Sequence, residues 1–381
     1  MEWKEDVLGN VLEVKYGKDH KKLAEGQYPV YGSGGLMRYV DSKLYDGPSI
    51  LIPRKGTLNN IMFVESPFWT VDTMFWSIIN TDKVDPQFLF YSICKRDFAS
   101  MNVGSAVPSM TVNILNDIQI SYPKNIEDQR RIASILSSLD RKIELNNKIN
   151  ADLEEMAQAI FKNWFVDFEP FKDGKFVDSE LGMIPEGWKV GRLDEIADVV
   201  GGSTPSKAKP EYYTQKGIAW LTPKDLSNHP AVYTSRGEID ITEEGYNSTS
   251  TKLMPKGTIL FTSRAPIGYI SIAQNDICTN QGFKSLVPKK AGTCFLYCFL
   301  KYVTPEIENK STGSTFKEAS GSLMKSLQVI MPEQKVFEDF ETIVSPLFAR
   351  IESLEKENSR LSLLRDTLLP RLMSGELEVP E

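Results

Sequence analysis

The chain has 381 residues, of which 41% are hydrophobic and 25% are charged, a composition typical of a globular protein with two or three domains. It contains no run of about eighteen apolar residues that could cross a membrane, and its four cysteines include no C-x-x-C pair that would indicate a disulfide framework or a zinc site. The net charge of −7 disfavours a strongly basic nucleic-acid-binding protein, so any contact with DNA requires a local basic surface. The charged start of the chain, "MEWKEDVLGN", predicts no secretory signal and therefore a cytoplasmic protein.

Residues 1–126 are predicted to form a first globular domain of mixed strands and helices. Short β-rich runs such as "SILIP" and "IMFV" are bounded by turn residues, and "VDPQFLFYSICKRDF" predicts one helix. Basic, small polar and aromatic side chains lie in the predicted loops. Such side chains contact phosphates or base edges in protein–DNA complexes, although they are also ordinary solvated loop residues. The DNA-contact candidates are Lys18, Lys21, Lys22, Tyr31, Ser33, Arg38, Tyr39, Arg54, Lys55, Asn59, Asn60 and Ser105.

A long helix is predicted for residues 127–165, with Asn125 as its N-cap. Apolar residues recur there at the a and d positions of a heptad, which indicates a coiled-coil seam roughly 58 Å long at about 1.5 Å per residue. Asn146 and Asn150 occupy central seam positions. A buried asparagine lowers stability but fixes the register of a coiled coil, so both are predicted to set the register of this helix; the alternative is that they face solvent.

After a linker at residues 166–185, the chain repeats itself. "EWKEDVLGNVLEVKYG" at residues 2–17 matches "GWKVGRLDEIADVVGG" at residues 187–202, and "SILIPRKGTLNNIMFV" matches "TILFTSRAPIGYISIA" 209 residues later (258 minus 49). The stretches "GSAVPSMT" and "GSTFKEAS" are likewise 209 residues apart, and both predict loops that approach a phosphate. The pattern indicates a duplication, in which the second copy carries 24 additional residues (209 minus 185) between residues 203 and 256.

Residues 186–332 are therefore predicted to form a second globular domain of the same α+β type. Its loops carry the same classes of side chain as those of the first domain, which makes them candidates for DNA contact. These candidates are Thr204, Ser206, Lys207, Lys209, Lys224, Arg264, Tyr269, Gln281, Lys284, Ser314, Thr315 and Lys317.

A second long helix is predicted for residues 333–375, followed by a tail at residues 376–381. It keeps the seam of the first helix, with Asn358 as a further register position, while Arg365 interrupts the apolar pattern. Pro346 and Pro370 are predicted to kink this helix or to mark its ends. Two long amphipathic helices in one chain are expected to pack against each other, and a pseudo-two-fold duplication requires them to run antiparallel with one domain at each end.

No catalytic motif is recognised in the sequence. It lacks a phosphate-binding P-loop, a dinucleotide-binding glycine pattern, H-E-x-x-H and G-x-S-x-G, and its only histidines lie in polar segments. Cys294 and Cys298 are predicted to share one helix face, but zinc would lack further ligands, so they are interpreted as core residues. The sequence therefore favours a non-catalytic protein.

Several motifs resemble the target recognition domains of type I restriction-modification specificity subunits. They are "GGSTPSKAKPEYY", "IAWLTPKDL", "SRAPIGYISIA", "NQGFKSL" and "GSTFKEAS". The segments "IEDQRRIASILSSLDRKIELNNKIN" and "RDTLLPRLMSGEL" are similar to the two central helical regions of that family. The resemblance covers the whole chain in the family's order, but the first recognition domain matches less clearly.

The resemblance implies a subunit that performs no chemistry and carries no cofactor or metal itself. In that family, each recognition domain reads one half of a bipartite double-stranded DNA target, and the helices set the unread spacer. The implied partners are two methyltransferase subunits, which bind S-adenosylmethionine, and up to two restriction subunits, which use ATP and Mg²⁺. Two alternatives remain: a specificity subunit for a fused methyltransferase-nuclease, and, from a different class, a coiled-coil scaffold that binds proteins.

Overall fold

The protein is described here by a computed structural model that places residues 1–102, 104, 108–311 and 317–379. The chain divides into two compact units. Unit 1 comprises Met1–Glu144 and Ser359–Glu381, and unit 2 comprises Leu145–Asn358. The division passes through both predicted long helices, so each unit combines one copy of the repeat with part of each helix.

The first copy is a set of short strands with two short helices, followed by one long helix. The long helix begins one residue earlier than predicted, and Asn125 caps it by accepting a hydrogen bond from the Glu127 amide over 3.0 Å. The elements are β1 (Trp3–Val7), β2 (Leu12–Tyr16), β3 (Tyr28–Gly32), β4 (Gly35–Val40), β5 (Ser49–Pro53), β6 (Met62–Val64), β7 (Trp69–Thr70), β8 (Met74–Ile79), α1 (Pro86–Ile93), α2 (Val112–Asn116), β9 (Gln119–Pro123) and α3 (Ile126–Phe165).

The second copy has more elements than the first and also ends in a long helix. They are β10 (Phe176–Val177), β11 (Ile184–Pro185), β12 (Lys189–Arg192), α4 (Leu193–Ile196), β13 (Ala197–Gly201), β14 (Tyr213–Thr214), β15 (Trp220–Leu221), α5 (Pro223–Asn228), β16 (Tyr233–Thr234), β17 (Asp240–Ile241), α6 (Glu243–Asn247), β18 (Ile259–Ser263), β19 (Ile267–Ala273), β20 (Cys278–Thr279), β21 (Lys284–Pro288), α7 (Thr293–Lys310), α8 (Gly321–Ser326), β22 (Gln328–Met331) and α9 (Gln334–Met373).

The strand pairing confirms the duplication. In unit 1, β2, β8, β5 and β6 form one sheet in that order, and β1 pairs with β9. In unit 2, β13, β21, β18 and β19 repeat the order of the larger sheet, with β16 added at its edge, and β12 pairs with β22. The parallel pair β3–β7 likewise corresponds to β15–β20. The α+β fold class predicted from the sequence is therefore correct.

Two glycines at equivalent positions show how closely the two frameworks agree. A Cβ on Gly17 would lie 2.0 Å from the Val71 carbonyl oxygen, and a Cβ on Gly202 would lie 2.2 Å from the Thr279 carbonyl oxygen. Both positions require glycine because another chain segment passes directly over them. The sequence match between these glycines thus reflects a repeated close approach of two backbone segments.

The additional residues of the second copy are inserted mainly after β15. Val30 in β3 pairs with Trp69, and Trp220 in β15 pairs with Cys278. The offset between the copies is therefore 190 residues at β15 (220 minus 30), compared with 209 at "TILFT". Most of the insertion forms α5, β16, β17 and α6, in place of the β3–β4 hairpin of the first copy.

Helices α3 and α9 pack against each other in an antiparallel arrangement within unit 2. Asn146 of α3 contacts Asn358 of α9, whereas Phe161, farther along α3, packs on Phe340, which comes earlier in α9, with ring centroids 6.2 Å apart. Phe165 also packs on Phe340, at 5.1 Å. Each fully buried aromatic ring contributes roughly 1.5–3 kcal/mol of hydrophobic free energy, which stabilises this pairing.

In unit 1, the remaining parts of the two helices pack together beneath the first copy. Ile132 and Leu136 of α3 share a buried core with Leu369 and Leu372 of α9. Arg365, which interrupts the apolar seam, places its Nη1 2.6 Å from Asp140 Oδ1, so an ion pair replaces an apolar contact there. Tyr91 of α1 donates to the other oxygen of the same carboxylate over 2.6 Å.

Three details of the predicted organisation differ from the structure. Helix α9 continues through both Pro346 and Pro370, so neither proline marks an end of it. The segment 166–185 is more than a linker, because Phe168 and Phe171 pack on Trp188 with centroid distances of 5.7 and 4.8 Å. The tail begins at Ser374 rather than at residue 376, and Leu377 packs onto the core of unit 1.

Candidate nucleic-acid interface

The predicted DNA contacts of the second copy converge around Gly282. The Ser263 amide, at the end of β18, donates to the Gly282 carbonyl over 2.8 Å, which places Arg264 beside this glycine. On another side, a Cβ on Gly282 would lie 2.8 Å from Cγ of Pro223, the residue before Lys224. Gln281 precedes Gly282 directly, and Lys284 begins β21 two residues later. One surface therefore collects four candidates from three separate segments.

A carboxylate outside the predicted set of contacts, that of Glu318, links two of these cations. Arg264 Nη1 lies 3.5 Å from Glu318 Oε2, and Lys284 Nζ lies 3.4 Å from Glu318 Oε1. The Lys284 side chain is 17% exposed, so it is less accessible to a ligand than Arg264 at 37%. Since Glu318 partly neutralises both cations, it reduces the attraction of this surface for phosphates.

Neighbouring candidates form contacts with one another or with the loops that carry them. The Thr204 hydroxyl is hydrogen-bonded to the Gln281 side-chain oxygen. Lys209 donates to the Tyr212 hydroxyl over 2.8 Å, whereas Ser206 and Lys207 are exposed. The Lys224 side chain is largely exposed. The Tyr269 hydroxyl lies 3.5 Å from the Ser227 hydroxyl. Lys207 is exposed and available to an anionic ligand, whereas the exposed Lys224 lies 3.9 Å from Glu238 Oε2, a loose ion pair at the surface.

In the first copy, several candidates surround the loop after β5. Asn60 donates to the Ser33 carbonyl over 2.9 Å, which ties this loop to the β3–β4 hairpin. Asn59 donates to Asp97 over 3.2 Å and accepts from the Ala99 amide over 2.9 Å. The side-chain amides of both asparagines are therefore engaged within the protein, which leaves them fewer groups for base recognition. Lys55 is exposed beside them.

The other candidates of the first copy lie around the hairpin itself. Lys18, Lys21 and Lys22 are exposed, whereas Arg38 donates to the Leu23 carbonyl over 2.9 Å. Tyr31 is half-buried, and burial raises the pKa of its hydroxyl. Arg54 stacks on the ring of Tyr16, with its guanidinium carbon 5.6 Å from the ring centroid, a contact that the sequence did not predict.

Equivalent backbone contacts place one cation at the same position of both copies. The Met110 amide donates to the Arg54 carbonyl, and the Ala319 amide donates to the Ser263 carbonyl, each over 2.9 Å. Lys55 follows the first of these carbonyls and Arg264 follows the second, so the two cations correspond. The residue equivalent to Glu318 in the first copy is Ser109, which bridges to Lys55 through the backbone. The first copy therefore presents its cation without an opposing carboxylate at that position.

The remaining predicted contacts belong to the two Gly-Ser stretches of the repeat. Ser105, Ser314 and Thr315 lie outside the residues that the structure describes. Lys317 is described and donates to the Glu308 carbonyl over 3.3 Å. The sequence did not predict the contact of Tyr16 with Arg54 or those of Glu318 with Arg264 and Lys284; the alignment of Glu318 with Ser109 in the repeat could have drawn attention to the latter.

The three predicted register residues differ in their contacts. Asn146 is buried and donates to Asn358 and to Glu357, each over 2.9 Å, and Asn358 donates in turn to Asn147 over 2.8 Å. The buried Oδ1 atoms of Asn146 and Asn150 both lack a hydrogen-bond partner among the described residues, and Asn150 is not linked to Asn358. The geometry thus links Asn146 and Asn358 across the helix pair and does not provide a similar link through the Asn150 oxygen.

The cysteines lie mainly in the core. Cys278, Cys294 and Cys298 are buried, and burial raises the pKa of the Cys278 thiol to about 12. Burial raises the pKa values of Cys294 and Cys298 as well, which favours the unreactive thiol form. Within the described ranges, no group of His, Cys, Asp or Glu side chains is arranged to hold a metal ion. In the same ranges, no helix combines the length and hydrophobicity needed to span a membrane.

Comparison with known proteins agrees with the repeated architecture. Residues 1–155 and 185–362 match the family model for the type I restriction modification DNA specificity domain. The chain is 41% identical over 190 residues to the type I restriction enzyme MjaIX specificity subunit of Methanocaldococcus jannaschii, which covers 49% of this chain and 44% of that relative. It is 26% identical over 386 residues to the HindI specificity subunit of Haemophilus influenzae, which covers 83% of each chain.

A solved structure shares the fold. The crystal structure of the type I restriction-modification S subunit from M. genitalium aligns with a TM-score of 0.62 at 19% identity, covering 98% of this chain and 96% of that one. The family model matches both copies of the repeat, one match to each. This chain therefore belongs to the family of type I restriction modification DNA specificity domains.

Proposed function

We propose that this chain is the DNA sequence-specificity subunit of a type I restriction-modification enzyme. Each copy of the repeat reads one half of a bipartite target in double-stranded DNA. The relatives that match this chain are themselves named as specificity subunits of such enzymes. The proposal extends that role to this chain and assigns one half-site to each unit.

The proposal rests on one observation: the two copies share the same backbone framework but carry different side chains on the loops of the candidate interface. The backbone contacts around Arg54 and Ser263 are equivalent, yet Lys55 stands beside Ser109 and Arg264 stands beside Glu318. A repeated framework provides the same approach to a duplex, while different side chains on its loops select different bases. Two domains with different DNA-contacting side chains in one chain fit an asymmetric DNA target that consists of two separate half-sites.

The chain is proposed to perform no chemistry itself. Specificity domains of this family are generally non-catalytic, and the buried cysteines favour the thiol over the nucleophilic thiolate. The reactions belong to the partners: two methyltransferase subunits that bind S-adenosylmethionine, and up to two restriction subunits that use ATP and Mg²⁺. Methylation of a base within a duplex requires the partner to flip that base out of the helix. The assembly acts on DNA in the cytoplasm.

The charge of the chain indicates how DNA binding is divided between the subunits. The net charge of −7 opposes the approach of the isolated chain to DNA and makes its binding weak, while the phosphate contacts of its local basic surfaces make that binding sensitive to salt. The methyltransferase subunits add phosphate contacts around the duplex. Specific, tight binding is therefore expected only for the complex.

Methylome sequencing tests the proposal directly. A host that lacks its own methylation systems would express this chain together with the methyltransferase encoded beside it. A single bipartite motif, methylated only when both proteins are present, is the expected result. Methylation without a defined motif, or a motif that is unchanged when this chain is omitted, would contradict the proposal.

The same experiment separates the proposal from a protein-binding scaffold. Replacing Arg264 and Lys284 by alanine should abolish or alter the motif while the methyltransferase still copurifies with this chain. If the chain were only a protein-binding scaffold, the methylated motif would be unchanged in this variant. Lys124→Ala is a suitable control, because Lys124 is exposed and paired with Glu2 outside the candidate interface.

A further inference from the structure

The β3–β4 hairpin of unit 1 has a tight turn that contacts the loop after β5 through Ser33 and faces open space at Gly34 and Gly35. Gly32 pairs with Gly35, which leaves only Ser33 and Gly34 in the turn. An added Cβ on Gly34 or Gly35 would have no heavy atom within 4 Å. Beyond Tyr31, β3 is no longer paired with β7, so the tip consists of two strands only. A two-stranded ribbon of this kind fits the major groove of B-form DNA, which is about 12 Å wide.

The tip carries apolar side chains that the protein does not cover. Leu36 is 52% exposed and Met37 is 56% exposed. A bulge between Val30 and Tyr31 leaves Met37 without a paired residue, and its sulfur lies across Gly32, 2.6 Å from the position a Cβ there would take. Tyr39, farther along β4, is 51% exposed.

This apolar strand also forms the edge of its sheet. In the described part of unit 1, the order of the sheet is β4–β3–β7, so the outer edge of β4 is unpaired. Exposed edges are normally protected by charged residues or proline. The one charged residue of β4, Arg38, instead donates to the Leu23 carbonyl. An edge strand with uncovered apolar side chains indicates a surface that a partner occupies.

The charge around the hairpin specifies the class of partner. Residues 15–60 contain eight Lys and Arg against four Asp and Glu, a net charge of +4 in a chain whose total is −7. Lys18, Lys22 and Lys55 are exposed and form no ion pair among the described residues. The Ser33 carbonyl at the tip is joined to the loop that carries Lys55 through Asn60, which makes the hairpin continuous with the candidate interface. A positive surface around an apolar tip complements a polyanion with apolar groups in its groove.

We propose that the tip of the β3–β4 hairpin enters the DNA major groove, where Leu36 and Met37 contact thymine methyl groups of one half-site. The thymine methyl is the one apolar group that base pairs present in the major groove, so apolar side chains recognise A·T pairs there. Lys18, Lys22 and Lys55 contact the flanking phosphates. The inference rests on the proposed function and adds the base feature that unit 1 reads.

The second copy supports this assignment by contrast. At the equivalent place after β15 it has α5, whose exposed face carries Lys224 and Asn228 in place of apolar residues. These are groups that contact bases or phosphates through hydrogen bonds. Thymine-methyl recognition is thus expected in the half-site read by unit 1 and not in the other half-site at the equivalent position.

A double-mutant cycle between protein and DNA tests the inference. Once the motif is known, the purified complex of this chain with its methyltransferase is titrated with duplexes in which single thymines are replaced by deoxyuridine, which lacks only the methyl group. Loss of one buried methyl should weaken binding by the wild-type complex about four-fold. The Leu36→Ala/Met37→Ala variant should bind the thymine duplex about ten-fold more weakly, with no further loss on the deoxyuridine duplex.

Two control variants separate base contact from a general effect on folding. Leu36→Met/Met37→Leu keeps the apolar volume and should retain the sensitivity to deoxyuridine. Ile78→Ala removes a partly exposed apolar side chain from β8, opposite Glu13, and should bind both duplexes like the wild type. Because Leu36 and Met37 are more than half exposed, the alanine variant is expected to unfold at the same temperature as the wild type.

Three results would overturn the inference while leaving the proposed function intact. Equal sensitivity of the wild type and the alanine variant to deoxyuridine would show that the hairpin does not contact the methyl groups. Loss of methyltransferase copurification in the alanine variant alone would show that the tip binds protein. A wild-type complex that responds to no thymine would exclude methyl recognition, with the motif itself intact. A complex without any motif would instead refute the proposed function and the inference together.

Discussion

The side-chain amide of Asn146 donates a hydrogen bond to the side-chain oxygen of Asn358 across the helix pair of unit 2, over 2.9 Å. Asn146 is fully buried, and it donates to Glu357 as well. A buried polar contact of this type is satisfied in one register of the two helices and lost when one helix slips by a turn.

This contact predicts an energetic coupling between the two asparagines. Asn146→Ala and Asn358→Ala should each lower the free energy of unfolding by about 1–2 kcal/mol, and the double variant should lower it by about 1 kcal/mol less than the sum. Urea unfolding of the three variants measures the coupling. Asn150→Ala is the control: its Oδ1, like that of Asn146, has no partner among the described residues, but Asn150 shares no hydrogen bond with Asn358, so its removal should leave stability unchanged or raise it. Additive effects of the two substitutions would refute the register role.

Glycine at positions 17 and 202 is predicted to be essential for folding. An added Cβ would lie 2.0 Å from the Val71 carbonyl oxygen in one case and 2.2 Å from that of Thr279 in the other, so the backbone would have to move. Gly17→Ala and Gly202→Ala should each lower the free energy of unfolding by about 3 kcal/mol. Gly34→Ala, where a Cβ meets open space, should change it little. Thermal unfolding of the three variants compares them, and equal melting temperatures would contradict the prediction.

Glu355 is predicted to make the stability of unit 2 depend on pH. Burial, together with the nearby carboxylates of Glu154 and Glu352, raises the pKa of this group from 4.5 to about 7, although the amides of Val232 and Tyr233 donate to it and oppose the shift. The folded state therefore holds the proton more tightly than the unfolded state. Below about pH 4.5 both states are protonated, and the stabilising effect of protonation is lost as the pH rises toward 7.

Substitution of Glu355 by glutamine should remove this dependence. Relative to Glu355→Gln, the wild type should lose unfolding free energy between pH 5 and pH 8, because only the wild type must bury a charge at the higher pH. Urea unfolding of both proteins at the two pH values gives the difference directly. Glu65→Gln, at an exposed loop position, is the matched control and should follow the wild type. Parallel pH profiles for wild type and Glu355→Gln would disprove the prediction.

The equivalent cations Lys55 and Arg264 are predicted to affect different half-sites. Lys55→Ala should relax or weaken one half of the methylated motif, and Arg264→Ala should affect the other half, each by about ten-fold in affinity. Methylome sequencing and binding titrations with duplexes altered in one half-site distinguish the two. If both substitutions changed the same half-site, the assignment of one reader to each unit would be wrong.

Glu318 is expected to weaken DNA binding by the second copy. It lies within 3.5 Å of Arg264 and 3.4 Å of Lys284, so its charge opposes phosphate binding at this surface. Glu318→Gln should strengthen DNA binding by the complex several-fold at low salt, and the gain should diminish as salt is added, since it is electrostatic in origin. Tighter binding that does not depend on salt would indicate a different cause.

The long helices are predicted to determine the spacer between the half-sites. Insertion of one heptad after Asn150 in α3, with a matching heptad after Leu354 in α9, would add roughly 10 Å at about 1.5 Å per residue. The methylated motif should then contain a longer unread spacer of about three base pairs at roughly 3.4 Å each, with both half-sites unchanged. Methylome sequencing reports the spacer directly. An unchanged motif would refute the role of the long helices in setting the spacer.

The candidate site shows where inference from the sequence reached its limit. The matched stretches around residues 54 and 263 predicted that Lys55 and Arg264 occupy similar loops, and the equivalent contacts of Arg54 and Ser263 agree with that. The sequence did not indicate that Glu318 would approach Arg264 from 54 residues farther along the chain. Nor did it show that the side-chain amides of Asn59 and Asn60 would form hydrogen bonds with neighbouring loops. Such contacts depend on which loops become adjacent after folding.

The duplication, the α+β class, and the two long helices with their apolar seam could all be predicted from the order of the residues. These features follow from local periodicity, from turn residues and from glycines that the backbone requires, and such signals are carried by a few neighbouring residues. Folding established which charges oppose one another, which asparagines meet across the helices, and that Leu36 and Met37 stay exposed on an edge strand. Burial and partner choice depend on segments that are far apart in the chain, and packing alone brings those segments together.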